Sequence, residues 1–365
     1  MTTFDKNLYA EVVFDGLETR VPACMGTPKE GQLLGTPLER LVELAGRVCY
    51  DSLGKGRSSV EYHAHIAEVR HGSVWEHANV TLRVPRFGEN MLAAAMQFIN
   101  RPGVWMRFGG DGALRVTMNL RSLLEFDDFS VPVAPWTEVG PVLRSALFGA
   151  VAPLAPQIVR CSAAAQESTT VRVVAPEFPE EKWVSLLLGG SRGMSHEQVR
   201  HKWRTAVSQR STRYVDESES PWVEHPLVTK YREETGAEDE DPVRPVAVEQ
   251  YSAAVEVLEE WLAEKGVDKH TSRKQARGAA RGYLGNALHT ELIFSASVAQ
   301  WRRMLVTGTS ARCSPGADAE IRVLYGHVLR ALKTTHWAED FADIELVPSP
   351  DGIGEVAQLM AGSPA

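Results

Sequence analysis

The chain has 365 residues and a formal net charge of -8, with 44% hydrophobic and 24% charged residues. Such a length suits one large domain or two ordinary ones, and the apolar content predicts a substantial core. The net acidity argues against nucleic-acid binding, which needs a basic face, and no apolar run is long enough to span a membrane.

The N-terminus lacks the apolar segment of a signal peptide, so a cytoplasmic protein is expected. Cys24, Cys49, Cys161 and Cys313 form no CxxC pair and no metal-ligand spacing. Reduced thiols and no bound metal are expected.

In chain order, residues 36–50 (TPLERLVELAGRVCY) show helical spacing behind a Thr36–Pro37 start, and 58–70 (SSVEYHAHIAEVR) predict a second helix. Alternation over 78–84 (ANVTLRV) predicts a strand. Residues 91–100 read as a helix stopped by Pro102 and Gly103, 113–118 as a strand, 127–140 as a loop and 141–165 as helical. The acidic, Pro- and Gly-containing segment 216–245 reads as a solvated surface excursion.

Helices are expected over 246–265, about 271–283, about 290–305 and 315–333. Ser314 is expected to cap the last, with Pro315 in its first turn. The tail after Val347 carries Pro and Gly and is expected to fray. Short strands among many helices predict an α+β fold, with helices packed on a modest mixed sheet.

The densest chemistry lies in Arg200–Tyr214 (RHKWRTAVSQRSTRY). Arg200, Lys202, Arg204, Arg210, Arg213 and His201 are interleaved there with Thr205, Ser208 and Ser211. Cations clustered in an acidic chain repel one another unless an anion relieves them. Guanidinium groups bind phosphate bidentately and hydroxyls complete the hydrogen bonds. The stretch reads as a site for a phosphorylated ligand, with a solvated helix end as the alternative.

Residues 71–77 (HGSVWEH) set His71, Ser73, Glu76 and His77 on a turn that Gly72 permits. A functional turn, a buried hydrogen-bonded loop and a zinc site short of a third ligand are all open readings. Asn119–Ser122 reads as a strand-end cap. Arg281 precedes an apolar turn and Thr290, and Arg312 precedes Cys313 and Ser314 at the start of the last long helix. The free N–H groups of that helix start favour an anion and could lower the Cys313 pKa, but no nucleophilic role is expected of that thiol.

Together these segments resemble the flavin-dependent thymidylate synthases, the ThyX family. The carriers are HGSVWEH at 71–77, RHK at 200–202 with SQRSTRY at 208–214, RGYLGNALHT at 281–290 and RCSPGADAEIR at 312–322. They occur in family order between about residues 36 and 340, and NLRSLLEF at 119–126 is similar to longer members.

The resemblance implies one ThyX-like catalytic domain over 1–346, with insertions at about 87–190 and 216–245 and a flexible tail over 347–365. It implies a homotetramer with shared FAD sites. The reaction implied is reductive C5-methylation of a uridine mononucleotide, dUMP or UMP. Methylenetetrahydrofolate would supply the one-carbon unit, and NADPH the reducing equivalents through FAD.

By position, His71, Ser73, Arg200, His201 and Lys202 would contact FAD. Gln209, Ser211, Arg213, Arg281 and Arg312 would hold the nucleotide, with Ser211 and Arg213 assigned to catalysis. The distant arginines would gather around one phosphate beside the flavin ring.

The chain also departs from the family pattern. Lys202 stands where Arg is usual, which keeps the charge and loses the planar fork. The interval to Ser211 is one residue longer, Gln209 replaces a frequent Glu, Arg210 replaces an apolar residue, and SASVAQWRRML lacks the usual asparagines. These changes fall on the nucleotide and folate sides. UMP methylation, as in nucleoside antibiotic pathways, hydroxymethyl transfer and a catalytically silent nucleotide-binding assembly subunit are the alternatives.

Overall fold

The computed structural model describes residues 7–84, 103–124, 172–238, 243–309 and 311–362. Its strands are β1 (Tyr9–Phe14), β2 (Asn79–Val84), β3 (Val104–Phe108), β4 (Leu114–Asn119), β5 (Arg172–Val173), β6 (Trp183–Ser191), β7 (Thr205–Gln209), β8 (His289–Ser297), β9 (Ile344–Pro348) and β10 (Glu355–Leu359). They form sheets in the orders β1-β6-β8-β7, β3-β4-β2-β5 and β10-β9. The α+β class holds. The sheets are not mixed, because every described pairing is antiparallel.

The β1-β6-β8-β7 sheet is covered on both faces. Leu186, Leu188, Leu292, Phe294 and Ala296 point to one side, against Trp301 and the Leu324, Tyr325 and Val328 stripe of the Ala319–Leu332 helix. Leu187 and Ile293 point to the other, against Leu41, Leu44 and Val48 of the Pro37–Tyr50 helix. Each such side chain contributes about 1.5–3 kcal/mol when fully buried.

Covered on both faces, a strand loses its polar alternation and reads as a continuous apolar run. This corrects the helix expected over about 290–305. His289–Ser297 is strand β8, and only Val298–Arg302 is α-helical, running into a π-helical turn at Arg303–Thr307. For the same reason Trp183–Ser191 is the central strand β6 and not part of an insertion.

Local signals placed the N-terminal helices well. Thr36 and Glu39 form a capping box on Pro37–Tyr50, and Ser58 and Glu61 form another on Ser59–Glu68. A cap of this kind is worth about 1 kcal/mol. The expected strands at 78–84 and 113–118 appear as β2 and β4. Asn119 Oδ1 accepts from Ser122 N at 2.8 Å, the strand-end cap expected there. The elements expected over 91–100, 127–140 and 141–165 lie outside the described residues.

Three readings change. The last long helix starts at Ala319 and is capped by Asp318, while the Ser314 hydroxyl donates to Ala311 O at 2.9 Å. The 216–245 segment is not all solvated, since Glu217, Ser220 and Val223 are buried and Pro226–Thr235 is helical. Residues up to Leu359 are structured: β9 and β10 pair, Val356 is buried, and Ala357 N donates to Cys313 O at 2.8 Å. No helix among the described residues is long and apolar enough to cross a membrane.

Candidate active site

β7 is the outer strand of its sheet, and the chain leaving it turns back under the Pro37–Tyr50 helix. Ser211 N donates to Cys49 O at 3.1 Å and pins that turn. Beside it opens a cleft of about 960 Å³, bounded by the end of that helix, the Gly72–His77 turn and the Lys269–Ala280 helix. His71, Ser73, Gln209, Ser211 and Arg213 all line it, as do Tyr50, Tyr214 and Lys274. No Asp or Glu is among its described lining residues.

The cleft wall is aromatic and hydroxyl-rich. Tyr50 meets Tyr214 edge-on, with centroids 4.8 Å apart, and its hydroxyl lies 3.3 Å from His71 Nδ1. Burial pushes the Tyr50 pKa up to about 12 and holds His71 below its ordinary value, so both are neutral near pH 7. Arg213 is exposed and makes no ion pair among the described residues; the Ser211 hydroxyl accepts from its backbone N–H at 3.4 Å.

Gln209 is oriented from behind. The Ser195 hydroxyl donates to Arg192 O at 2.9 Å, so its lone pairs accept from Gln209 Nε2 at 3.0 Å. Thr290 Oγ1 accepts from the same nitrogen at 3.2 Å. The amide oxygen is thereby left as an acceptor.

The two histidines of the 71–77 turn diverge. His77 is fully buried, with Nδ1 2.6 Å from Ser295 Oγ and Nε2 2.9 Å from Ser208 Oγ. Burial drives its pKa down to about 3. Glu76 pairs instead with Arg121 at 2.5 Å.

The rest of the expected set lies elsewhere. Arg200, His201 and Lys202 line a second pocket of about 370 Å³, together with Trp203, Gln300 and Arg303. Arg312 donates from Nε to His201 Nε2 at 2.7 Å and from Nη1 to Glu197 Oε2 at 2.9 Å. Burial first, and then the Arg312 charge, lowers the His201 pKa to about 4. Arg281 is exposed in a short turn, near enough to half-buried Arg192 to help depress it.

Of the three arginines expected at one phosphate, Arg213 lines the cleft, while Arg281 and Arg312 are not among its described lining residues. β7 runs from the Arg200–Lys202 stretch, which lines the second pocket, to Val207, Ser208 and Gln209, which line the cleft.

Two arginines of the dense stretch are packing residues. Arg204, with a φ of 50°, lies 4.6 Å from the Trp203 ring and 4.4 Å from the Trp105 ring. Arg210 reaches Ser220 Oγ at 3.3 Å and buried Glu217 at 3.6 Å.

Cys313 is buried, and burial pushes its thiol up to about 11. Cys49 is raised likewise to about 11. The helix start expected to receive an anion near Arg312 is occupied by the Asp318 carboxylate, which accepts from Glu320 N at 2.9 Å.

The family described as "Thymidylate synthase complementing protein" has a model that matches residues 183–336. The "Flavin-dependent thymidylate synthase" of Mycobacterium marinum is 35% identical over 185 residues, covering 49% of this chain and 68% of that protein. The chain belongs to the flavin-dependent thymidylate synthase family.

The protein of the same description from Mycobacterium tuberculosis is 36% identical over 172 residues, and that from Mycolicibacterium gilvum is 34% identical over 172 residues. Each of these two alignments covers 46% of this chain and 63% of the relative's length. The family match begins at β6 and takes in Arg200–Tyr214, Arg281 and Arg312. His71 and Ser73 lie outside it and reach the cleft through the N-terminal part of the fold.

Sequence reasoning missed Tyr50, Lys274 and Glu197. Tyr50 ends an amphipathic helix and Lys274 sits within another, where neither differs in pattern from an ordinary helix residue. Glu197 lies three residues before Arg200 in the sequence, and only the fold brings Arg312 to it.

Proposed function

We propose that the chain is a cytoplasmic, flavin-dependent uridylate C5-methylase acting on dUMP, at sites shared between copies of a homotetramer. Methylenetetrahydrofolate is the one-carbon donor and NADPH the reductant in this reading. The observation that carries it is the division of the family-type residues between two pockets on either side of β7. Each pocket holds half of what the reaction needs, and a second copy set against the first supplies the other half.

The residues fit a flavin dinucleotide. His71, Ser73 and Tyr50 suit a planar ring in a cleft with no carboxylate among its described lining residues, and Arg200 and Lys202 suit a diphosphate. When bound, the flavin supplies the hydride chemistry. The chain's own groups do the rest. Arg213 anchors the nucleotide phosphate, with the Ser211 hydroxyl beside it. The amide oxygen of Gln209, left as an acceptor by Ser195 and Thr290, faces the uracil N3–H. Arg281 and Arg312 reach the phosphate from a neighbouring copy. His201 stays neutral and holds the Arg312 guanidinium in place.

The deciding assay offers dUMP and UMP side by side with methylenetetrahydrofolate, NADPH and FAD, with products identified by mass. A methylated dUMP supports the reading. A methylated UMP moves the substrate, a hydroxymethyl product moves the reaction, and no product from a flavin-loaded protein overturns it.

A further inference from the structure

The outer lip of the cleft is a built feature that the proposed reaction leaves unused. It is the turn over residues 51–58, between the two N-terminal helices. Its carbonyl oxygens are drawn inward: Arg47 donates to Ser52 O at 3.1 Å and to Arg57 O at 2.8 Å, and Gln32 Nε2 to Lys55 O at 2.8 Å.

Arg47 is 1% exposed and is held at 2.6 Å by Glu43, which is 0% exposed. Glu43 also accepts from Ser59 Oγ at 2.5 Å. Burying an ion pair costs several kcal/mol of desolvation. Here the pair fastens the lip by its backbone, and Gly54 and Gly56 take the left-handed turns required, with φ of 74° and 67°.

With the carbonyls turned inward, Lys55 and Arg57 stand exposed on the cleft rim. Arg70, whose φ is 53°, joins them, and the Lys269–Ala280 helix brings His270 and Lys274 to the same cleft. Arg57, Arg70 and Lys274 make no ion pair among the described residues, and Lys55 meets only exposed Asp51 at 3.2 Å. The crowding registers on His65, which burial, then Arg57, and more weakly His270 hold below its ordinary pKa. Such an array in a chain of net charge -8 is repulsive until an anion relieves it.

We propose that this lip is a second anion subsite, taking the oligoanionic outer part of a ligand whose ring system lies deeper, near Tyr50 and Arg213. The ligand's identity rests on the function proposed above. The occupant is the γ-glutamyl tail of the folate donor, whose carboxylates are spaced along a flexible chain. The diphosphate of a dinucleotide offers the same chemistry. Cations on long, exposed stems suit either as point charges.

The test is calorimetric titration of the full chain and of its Lys55→Glu/Arg57→Glu variant. The probes are folate monoglutamate, folate pentaglutamate, FAD and inorganic tripolyphosphate. The wild type is expected to prefer pentaglutamate about tenfold, roughly 1.4 kcal/mol, and to lose the preference in the variant and at high salt. Tripolyphosphate binding is expected to fall in parallel.

No tail-length preference, with FAD affinity lost in the variant, assigns the lip to the cofactor and overturns the folate-tail subsite. Unchanged affinity of the variant for every probe overturns it. Should the charge reversal lower Tm, Arg57→Gln repeats the comparison with a milder change. Binding is read without turnover, so charge-dependent tripolyphosphate binding by a protein that methylates nothing sinks the proposed reaction and leaves the subsite standing.

Discussion

The Arg312 Nε donates a hydrogen bond to His201 Nε2 at 2.7 Å, joining a residue expected at the nucleotide to one expected at the flavin. Glu197 receives the same guanidinium at 2.9 Å, so its charge is balanced before any ligand arrives. An imidazole nitrogen that accepts from a permanent cation cannot also carry a proton. The contact therefore holds His201, which lines the second pocket, in its neutral form.

Arg312→Gln is expected to raise the His201 pKa from about 4, because the nearby positive charge is gone. Burial, the larger cause, remains, so the value stays below the ordinary 6.5. NMR titration of the imidazole signals checks this. An unmoved His201 would show that the contact is not maintained in solution.

Arg213→Ala is expected to cost roughly 1.5–3 kcal/mol of nucleotide affinity, the worth of hydrogen bonds to a charged group. Flavin content should persist, since Arg213 makes no ion pair among the described residues that would hold the fold. Titration with dUMP and UMP, alongside flavin absorbance, separates the two effects. Parallel loss of both ligands contradicts the assignment.

Shared sites predict complementation. At limiting nucleotide, Arg213→Ala and His201→Ala chains should each be impaired and should regain part of the lost activity when unfolded and refolded together. The two substitutions fall in different pockets, so some mixed sites receive an intact half from each chain. Mixtures as impaired as their components argue for a site within one chain.

Acid should destabilise the fold through its buried histidines. Burial lowers His77 to about 3 and His63 to about 4, against an ordinary value of 6.5. The unfolded chain binds these protons first, so the stabilisation is complete above about pH 6.5 and is lost as pH falls toward the folded values. His77→Gln should lower Tm at neutral pH, because the bonds to Ser208 and Ser295 are disturbed, yet flatten the acid limb of Tm against pH. An equally steep acid limb would show that His77 is not among the groups responsible.

Glu43→Gln should destabilise the protein by about 3–5 kcal/mol, since it leaves the Arg47 guanidinium buried without its countercharge. Replacing both residues with apolar ones, Glu43→Leu with Arg47→Met, should recover much of that loss while freeing the lip. Denaturant unfolding measures the first effect, and amide exchange over residues 51–58 measures the second.

The sequence by itself determined what is local. The Pro37–Tyr50 and Ser59–Glu68 helices were legible because their periodicity and capping boxes lie within a few residues. The order of the four motifs was legible too, and with it the family. Only the tertiary structure decided that β6 and β8 form the middle of a sheet, because a run buried on both faces has no polar side to reveal its period.

It also decided how the cations divide. Within one dense stretch Arg213 opens on the cleft, Arg200 on the second pocket, Arg204 on two indoles and Arg210 on a buried carboxylate. A guanidinium has the same chemistry at each position. What it does depends on the partner that the fold sets against it, and those partners come from segments far away along the chain.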